Sequence, residues 1–385
     1  MKFRSEVVDV QESPMIQIAA LAGTLPDVIQ LCYGESDTPT PEFICRAAYE
    51  ASLAGHTGYT HTSGTLEFRE AIARKFFELQ GIECRPSQVV GTIGASAAIF
   101  VAARTCVGPG DNAIVIAPTY AIFATNVAMS GGEPRLVPLV RDGRRFRLDI
   151  DRVRAAIDGN TRMLIVNSPS NPTGWVISAS DQEELVELAR RHDLLILSDE
   201  VYERLSFDQP VAPSIARFDK KLEHVLVINS LSKTYNMTGW RLGWAIGNER
   251  LINLMTKAAE FITSNAPAPT QQAAIVALRD GDAYVAQIRE EYKQRRDLVM
   301  RELSSIPGIS LPVPDGAFYA FPQIEGLKDS TTLARRLVSE ARVAMTPGLA
   351  FGPSGEGYIR LCFAASEKTL APALQRFKEF MLKKE

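Results

Sequence analysis

The residues with chemistry to offer stand just behind short apolar runs: Tyr120, Asn171, Asp199 with Tyr202, and Ser230 with Ser232 and Lys233. A lysine amine condenses with an aldehyde, and a low local dielectric favours its neutral, nucleophilic form once released. A carboxylate such as Asp199 keeps a neighbouring ring nitrogen protonated, so that the ring can draw electrons from a substrate carbanion. Asn171 and Tyr202 can donate hydrogen bonds to a phenolate oxygen on that ring, and Tyr120 offers a flat face to stack against it. Gly94-Ala95-Ser96-Ala97-Ala98 opens an Ala-rich helix whose first amides lack intrahelical acceptors, which makes an anion site. Arg241, eight residues beyond Lys233, adds a cation that can clamp a phosphate through two N–H groups. Aldehyde, ring nitrogen, phenolate and phosphate together describe pyridoxal phosphate (PLP). Lys233, Asp199 and Tyr202 are then the catalytic candidates.

Such residues need a scaffold that brings them to one rim. Residues 112–117, 163–166, 194–197 and 225–228 are short, unalternated runs rich in Val, Ile and Leu. Runs of this kind suit strands buried on both faces of a parallel sheet. Helical patterns lie between them, as over 181–192, where Leu185, Leu188 and Ala189 share one face. The alternation implies a doubly wound α/β core, in which ligands bind beyond the carboxyl ends of the strands. Past about residue 290 the pattern changes to a charged helix (290–303), strand-like pieces (317–321 and 357–363) and an amphipathic helix (369–382). The expected organisation is a large PLP-binding domain over 45–289 and a smaller α+β domain formed by 1–44 together with 290–385.

Composition narrows the field further. A formal net charge of −3 gives no broad electrostatic footprint for nucleic acid, and no run of about eighteen apolar residues suits a membrane span. The polar N-terminus lacks a secretory apolar core, which reads as cytoplasmic. Five scattered cysteines form no C-x-x-C pair, and the four histidines show no ligand spacing, so no disulfide set and no metal are expected.

At these motifs the chain resembles the class I/II, fold-type I PLP-dependent aminotransferases and is similar to the bacterial aspartate aminotransferases. The segment from Ser230 to Gly243 (SLSKTYNMTGWRLG), with Asn171-Pro172-Thr173-Gly174 and Ser198-Asp199-Glu200-Val201-Tyr202, carries the likeness. It begins at 31–41 (LCYGESDTPTP) and runs to 357–363 (GYIRLCF). The resemblance implies that Arg360 binds the substrate α-carboxylate, helped by Asn171 and the backbone of Gly34, with Tyr120 beside the substrate. It places Ser230 and Ser232 with Ala95, Ser96 and Ala97 in the phosphate shell. It also sends Tyr59 to the cofactor of a neighbouring subunit, so that a homodimer is the active unit. The implied reaction moves an amino group from an L-amino acid to a 2-oxo acid by a ping-pong route, with Lys233 as general base. Arg104 lies near where some aspartate enzymes carry a basic residue for a second carboxylate, which points to aspartate or glutamate. The apolar Met15, Ile16 and Ile18 would instead close over the site and favour apolar or aromatic amino acids. The same scaffold also runs C–S β-elimination and other PLP chemistry, which these motifs do not separate. An effector-sensing domain of a transcription regulator would need a DNA-binding module, for which the stretch before residue 31 leaves no room.

Overall fold

A computed structural model describes residues 1–383. Seven strands form the main sheet: β1 (Val89–Thr92), β2 (Asn112–Ala117), β3 (Glu133–Pro138), β4 (Thr161–Asn167), β5 (Leu195–Asp199), β6 (Val225–Ser230) and β7 (Gly243–Ile246). Their order across the sheet is β1-β7-β6-β5-β4-β2-β3. The strands from β6 to β3 pair in parallel, whereas β7 runs antiparallel to both β1 and β6. All four expected runs are strands of this sheet, within about a residue or two at their ends.

Alternate residues along each central strand feed the two layers of a first core, one on each face of the sheet. Leu164, Val166, Ile196 and Val227 join one apolar cluster, while Met163, Ile165, Leu197, Leu226 and Ile228 join another. Both faces are therefore covered, which explains why these strands read as unbroken apolar runs. The helix expected over 181–192 spans Ala179–His192 and is started by Ser178, whose hydroxyl accepts the Asp181 N–H at 3.1 Å.

A second core gathers the chain's two ends. Ile18 and Leu31 pack there with Tyr292, Phe318, Phe363 and Phe377. Its sheet is short and antiparallel, with Ile359–Cys362 between Tyr319–Ala320 and Thr346–Pro347. Ile29–Gln30 pairs in parallel with Val343–Ala344, tying the N-terminal segment to the C-terminal one. The charged helix is longer than its pattern indicated, running from Asp282 to Ser304, with Val285 in the first core and Ile288 and Tyr292 in the second. Val201, Tyr202, Leu205 and Phe207, just beyond β5, also belong to the second core. Tyr202 thus stands where the two cores meet.

Candidate active site

Three adjacent parallel strands end in register and present their polar termini side by side. Asn167 at the end of β4 is paired with Asp199 at the end of β5, and Asp199 is paired with Ile228, two residues before the end of β6 at Ser230. Lys233 follows three residues later. A cavity of about 300 Å³ opens on this edge. Its walls bring together Gly34, Ala95, Ser96, Tyr120, Asn171, Asp199, Tyr202, Ser230, Ser232, Lys233, Arg241 and Arg360. Two residues expected in the site, Ala97 in the phosphate loop and Tyr59 from a neighbouring subunit, do not line this chain's own cavity. The Ala97 N–H donates to the Gly94 carbonyl at 3.2 Å, and its side chain does not reach the wall. Tyr59 is 92% exposed and lies outside the cavity of its own chain.

Asp199 is 6% exposed. Burial lifts its carboxyl to about 7, against the pull of the Val201 N–H, which donates at 3.2 Å, and of the Lys233 charge. Among the described residues no cation pairs with it. A buried carboxylate without a counter-ion is costly. A protonated ring nitrogen is the kind of group that would relieve it. Lys233 is shifted the other way: burial lowers its amine to about 8, and its Nζ donates to the Gly34 carbonyl at 2.7 Å. At pH 7 roughly a tenth of an amine so lowered is neutral, far more than of an ordinary lysine, as an aldehyde-condensing amine requires.

Arg360 is 1% exposed and meets only uncharged groups. Its Nη1 donates to Asn171 Oδ1 at 3.0 Å and its Nη2 to Thr346 Oγ1 at 3.0 Å and to the Cys32 carbonyl. The rings of Tyr319 and Phe351 lie 4.6 and 5.0 Å from the guanidinium carbon. Its Nε is buried without an acceptor. A fully charged, buried guanidinium with no carboxylate beside it fits a ligand that brings its own anion.

The anion end is built differently. Gly94 caps the helix Ala95–Cys106 with φ +87°, and an added Cβ would strike the Arg241 guanidinium. Glycine is needed there both for the backbone and for the approach of the cation. Arg241 itself is held by donation to the Thr238 carbonyl at 2.7 Å. The Ser230 hydroxyl accepts the Ser232 N–H at 3.3 Å, so both serines are fixed on the same wall. Helix amides, hydroxyls and one arginine converge where a phosphate would sit, in the same cavity as Asp199, Lys233 and Arg360. These residues fit PLP part by part.

Tyr319 and Asn167 are among the residues of the wall that were not read from the sequence. The Tyr319 hydroxyl lies 2.7 Å from that of Tyr202, and a side chain at position 34 would collide with it. Burial holds both phenols above their ordinary range. Asn167 accepts the Asn171 N–H at 2.8 Å and donates to the Asp199 carbonyl at 3.0 Å, bracing the two elements together. It directly follows the apolar run 163–166, which was the available signal; Tyr319 had none beyond a β-rich setting. Arg104 is turned away, with its Nη1 donating to the Ser130 carbonyl at 3.4 Å. Met15 lines the cavity, whereas Ile16 is exposed and Ile18 is buried in the second core.

A family model described as aminotransferase class I and II matches residues 26–377. The chain belongs to that family. It is 37% identical to aromatic-amino-acid aminotransferase 2 of Thermococcus litoralis, over 97% of each chain. It is 35% identical to an aspartate aminotransferase of Bacillus subtilis, over 100% of each. A solved Thermus thermophilus aspartate aminotransferase superposes with a TM-score of 0.92 at 35% identity, covering 98% of this chain and 99% of that one. The protein is an aminotransferase of the α/β architecture shared by these structures.

Proposed function

We propose that the chain holds PLP on Lys233 and uses it to exchange an amino group between an L-amino acid and a 2-oxo acid. The observation that carries this is the pairing, in one cavity, of a buried carboxylate lacking a cation (Asp199) with a buried guanidinium lacking an anion (Arg360). Asp199 faces the ring nitrogen, Tyr120 the ring, and Asn171 with Tyr202 the phenolate oxygen. The Ala95 and Ser96 amides, Ser230, Ser232 and Arg241 hold the phosphate.

Bound PLP supplies an electron sink for the substrate's α-carbon. The rest is positioning by the chain. Arg360 and Asn171 fix the α-carboxylate, which sets the direction of the Cα–H bond. The Lys233 amine, once free, takes the proton from that carbon, and its lowered basicity suits a group that must both accept and return it. The Tyr202–Tyr319 pair keeps one phenol oriented over the cavity floor. Tyr59, exposed on its own chain, is assigned to the cofactor of a second copy in a homodimer.

Borohydride reduction of the PLP-loaded protein, followed by peptide mass analysis, is expected to find the cofactor on Lys233. Lys233→Ala should lower multiple turnover by roughly 10²- to 10⁴-fold. Cofactor fixed to a different lysine, or near wild-type turnover in that variant, would overturn the assignment. Release of pyruvate and ammonia from cystathionine with no 2-oxo acid present would show β-elimination instead.

A further inference from the structure

The cavity wall bears on which side chain the amino donor carries. Its described lining contains three cations, Lys233, Arg241 and Arg360, and one carboxylate, Asp199. Each cation already has a place. Lys233 is bonded to the Gly34 carbonyl, Arg241 is held at the helix N-terminus by Thr238, and Arg360 stands against Asn171 and Thr346. None of these three, all from this chain, is left for a second carboxylate. The basic residue that could have supplied one, Arg104, is bonded to Ser130 outside the cavity.

The surface next to Arg360 is apolar instead. The Met15 sulfur lies 3.7 Å from Arg360 Nη2, and Tyr120 and Ile122 extend the wall. Met15 is not a loose neighbour. It sits at the second residue of the helix Pro14–Gly23, one turn ahead of Ile18 and Ala19, which are buried in the second core. Side chains three and four residues apart share a helix face, so Met15 is turned inward with Ile18 and Ala19, and there it lines the cavity. A carboxylate brought against this thioether would shed water with no cation in return, whereas an apolar group gains from the same contact.

Resting on the aminotransferase reading, we propose that the amino donor carries an uncharged apolar or aromatic side chain, and that Met15 selects it. With an α-carboxylate on Arg360, such a side chain lies along Met15, Tyr120 and Ile122.

The test is the single-turnover half-reaction of the PLP-loaded enzyme with one amino acid at a time. Phenylalanine, leucine and methionine should exceed aspartate and glutamate in kcat/KM, by on the order of 100-fold. Met15→Lys should raise the dicarboxylates and lower the apolar donors, shifting their ratio by at least about ten-fold. Met15→Ala, which removes bulk without adding charge, should leave the dicarboxylates slow. A wild-type preference for aspartate or glutamate would overturn the proposal, and so would a Met15→Lys enzyme with an unchanged ratio. If no amino acid reacts at all, the aminotransferase reading fails instead, so the two failures are distinct.

Discussion

Three buried carboxylates stand within five residues of one another, on opposite sides of the same strand end. Asp199 faces the cavity, while Glu200 and Glu203 lie behind it. Burial raises all three, Glu200 to about 8. What differs is how the protein answers. Glu203 accepts from Gln80 at 2.9 Å and from Asn229 at 2.7 Å, and Asn229 in turn accepts the Ser230 N–H at 2.7 Å. One oxygen of Glu200 accepts from the Ser198 and Ser214 hydroxyls and from the Ile215 N–H. Asp199 receives a single backbone N–H. Depth and a raised pKa therefore do not separate a site from its support. The separating property is whether neighbouring donors have been provided.

The contrast breaks most sharply at Asp199. Asp199→Asn should cut turnover by roughly 10²- to 10³-fold, yet leave the melting temperature of the cofactor-free chain unchanged or higher, because an uncompensated buried acid is gone. A large loss of stability with activity retained would place Asp199 with the supporting pair. Glu203→Leu should do the reverse. It strands the Gln80 and Asn229 donors, for a loss of about 1–3 kcal/mol in denaturant unfolding, with kcat of the folded holoenzyme close to wild type.

The contrast can also be sharpened through pH. The cofactor-free folded chain keeps the Asp199 proton up to about 7, whereas the unfolded chain releases it at the ordinary carboxyl value of 3.8. The contribution is full below the lower value and is lost as pH rises to the upper one. The melting temperature of wild type relative to Asp199→Asn should thus fall between about pH 4 and pH 7 and level off above it. A flat difference across that interval would mean that the acid is compensated after all.

The sequence made the sheet's centre legible and left its margins obscure, for physical reasons. Central strands are covered on both faces and so spell themselves in Val, Ile and Leu. β3 (EPRLVP) is an edge strand and tolerates charge and two prolines, while β1 and β7 are four residues long and each contains a glycine. Nothing in such segments distinguishes them from loops. In the site, residues a few positions beyond an apolar run were legible because the strand aims them. Arg104 misled because helical geometry intervenes. It lies nine residues past Ala95, about 13 Å along the axis and half a turn around it, which carries it away from the helix start that borders the cavity. Tyr319 arrives from the second core, and only tertiary packing brings it to Tyr202.

The contact between Met15 and Arg360 spans 345 positions of the chain. Asn171, Thr346 and the Cys32 carbonyl meet the same guanidinium from three further separations. On the ribosome, the β5 and β6 termini emerge long before Arg360 is made. A nascent chain can form its sheet, and even its lysine pocket, while the seat for the substrate's carboxylate does not yet exist. The proposed grip on the α-carboxylate therefore waits on the C-terminal part of the chain.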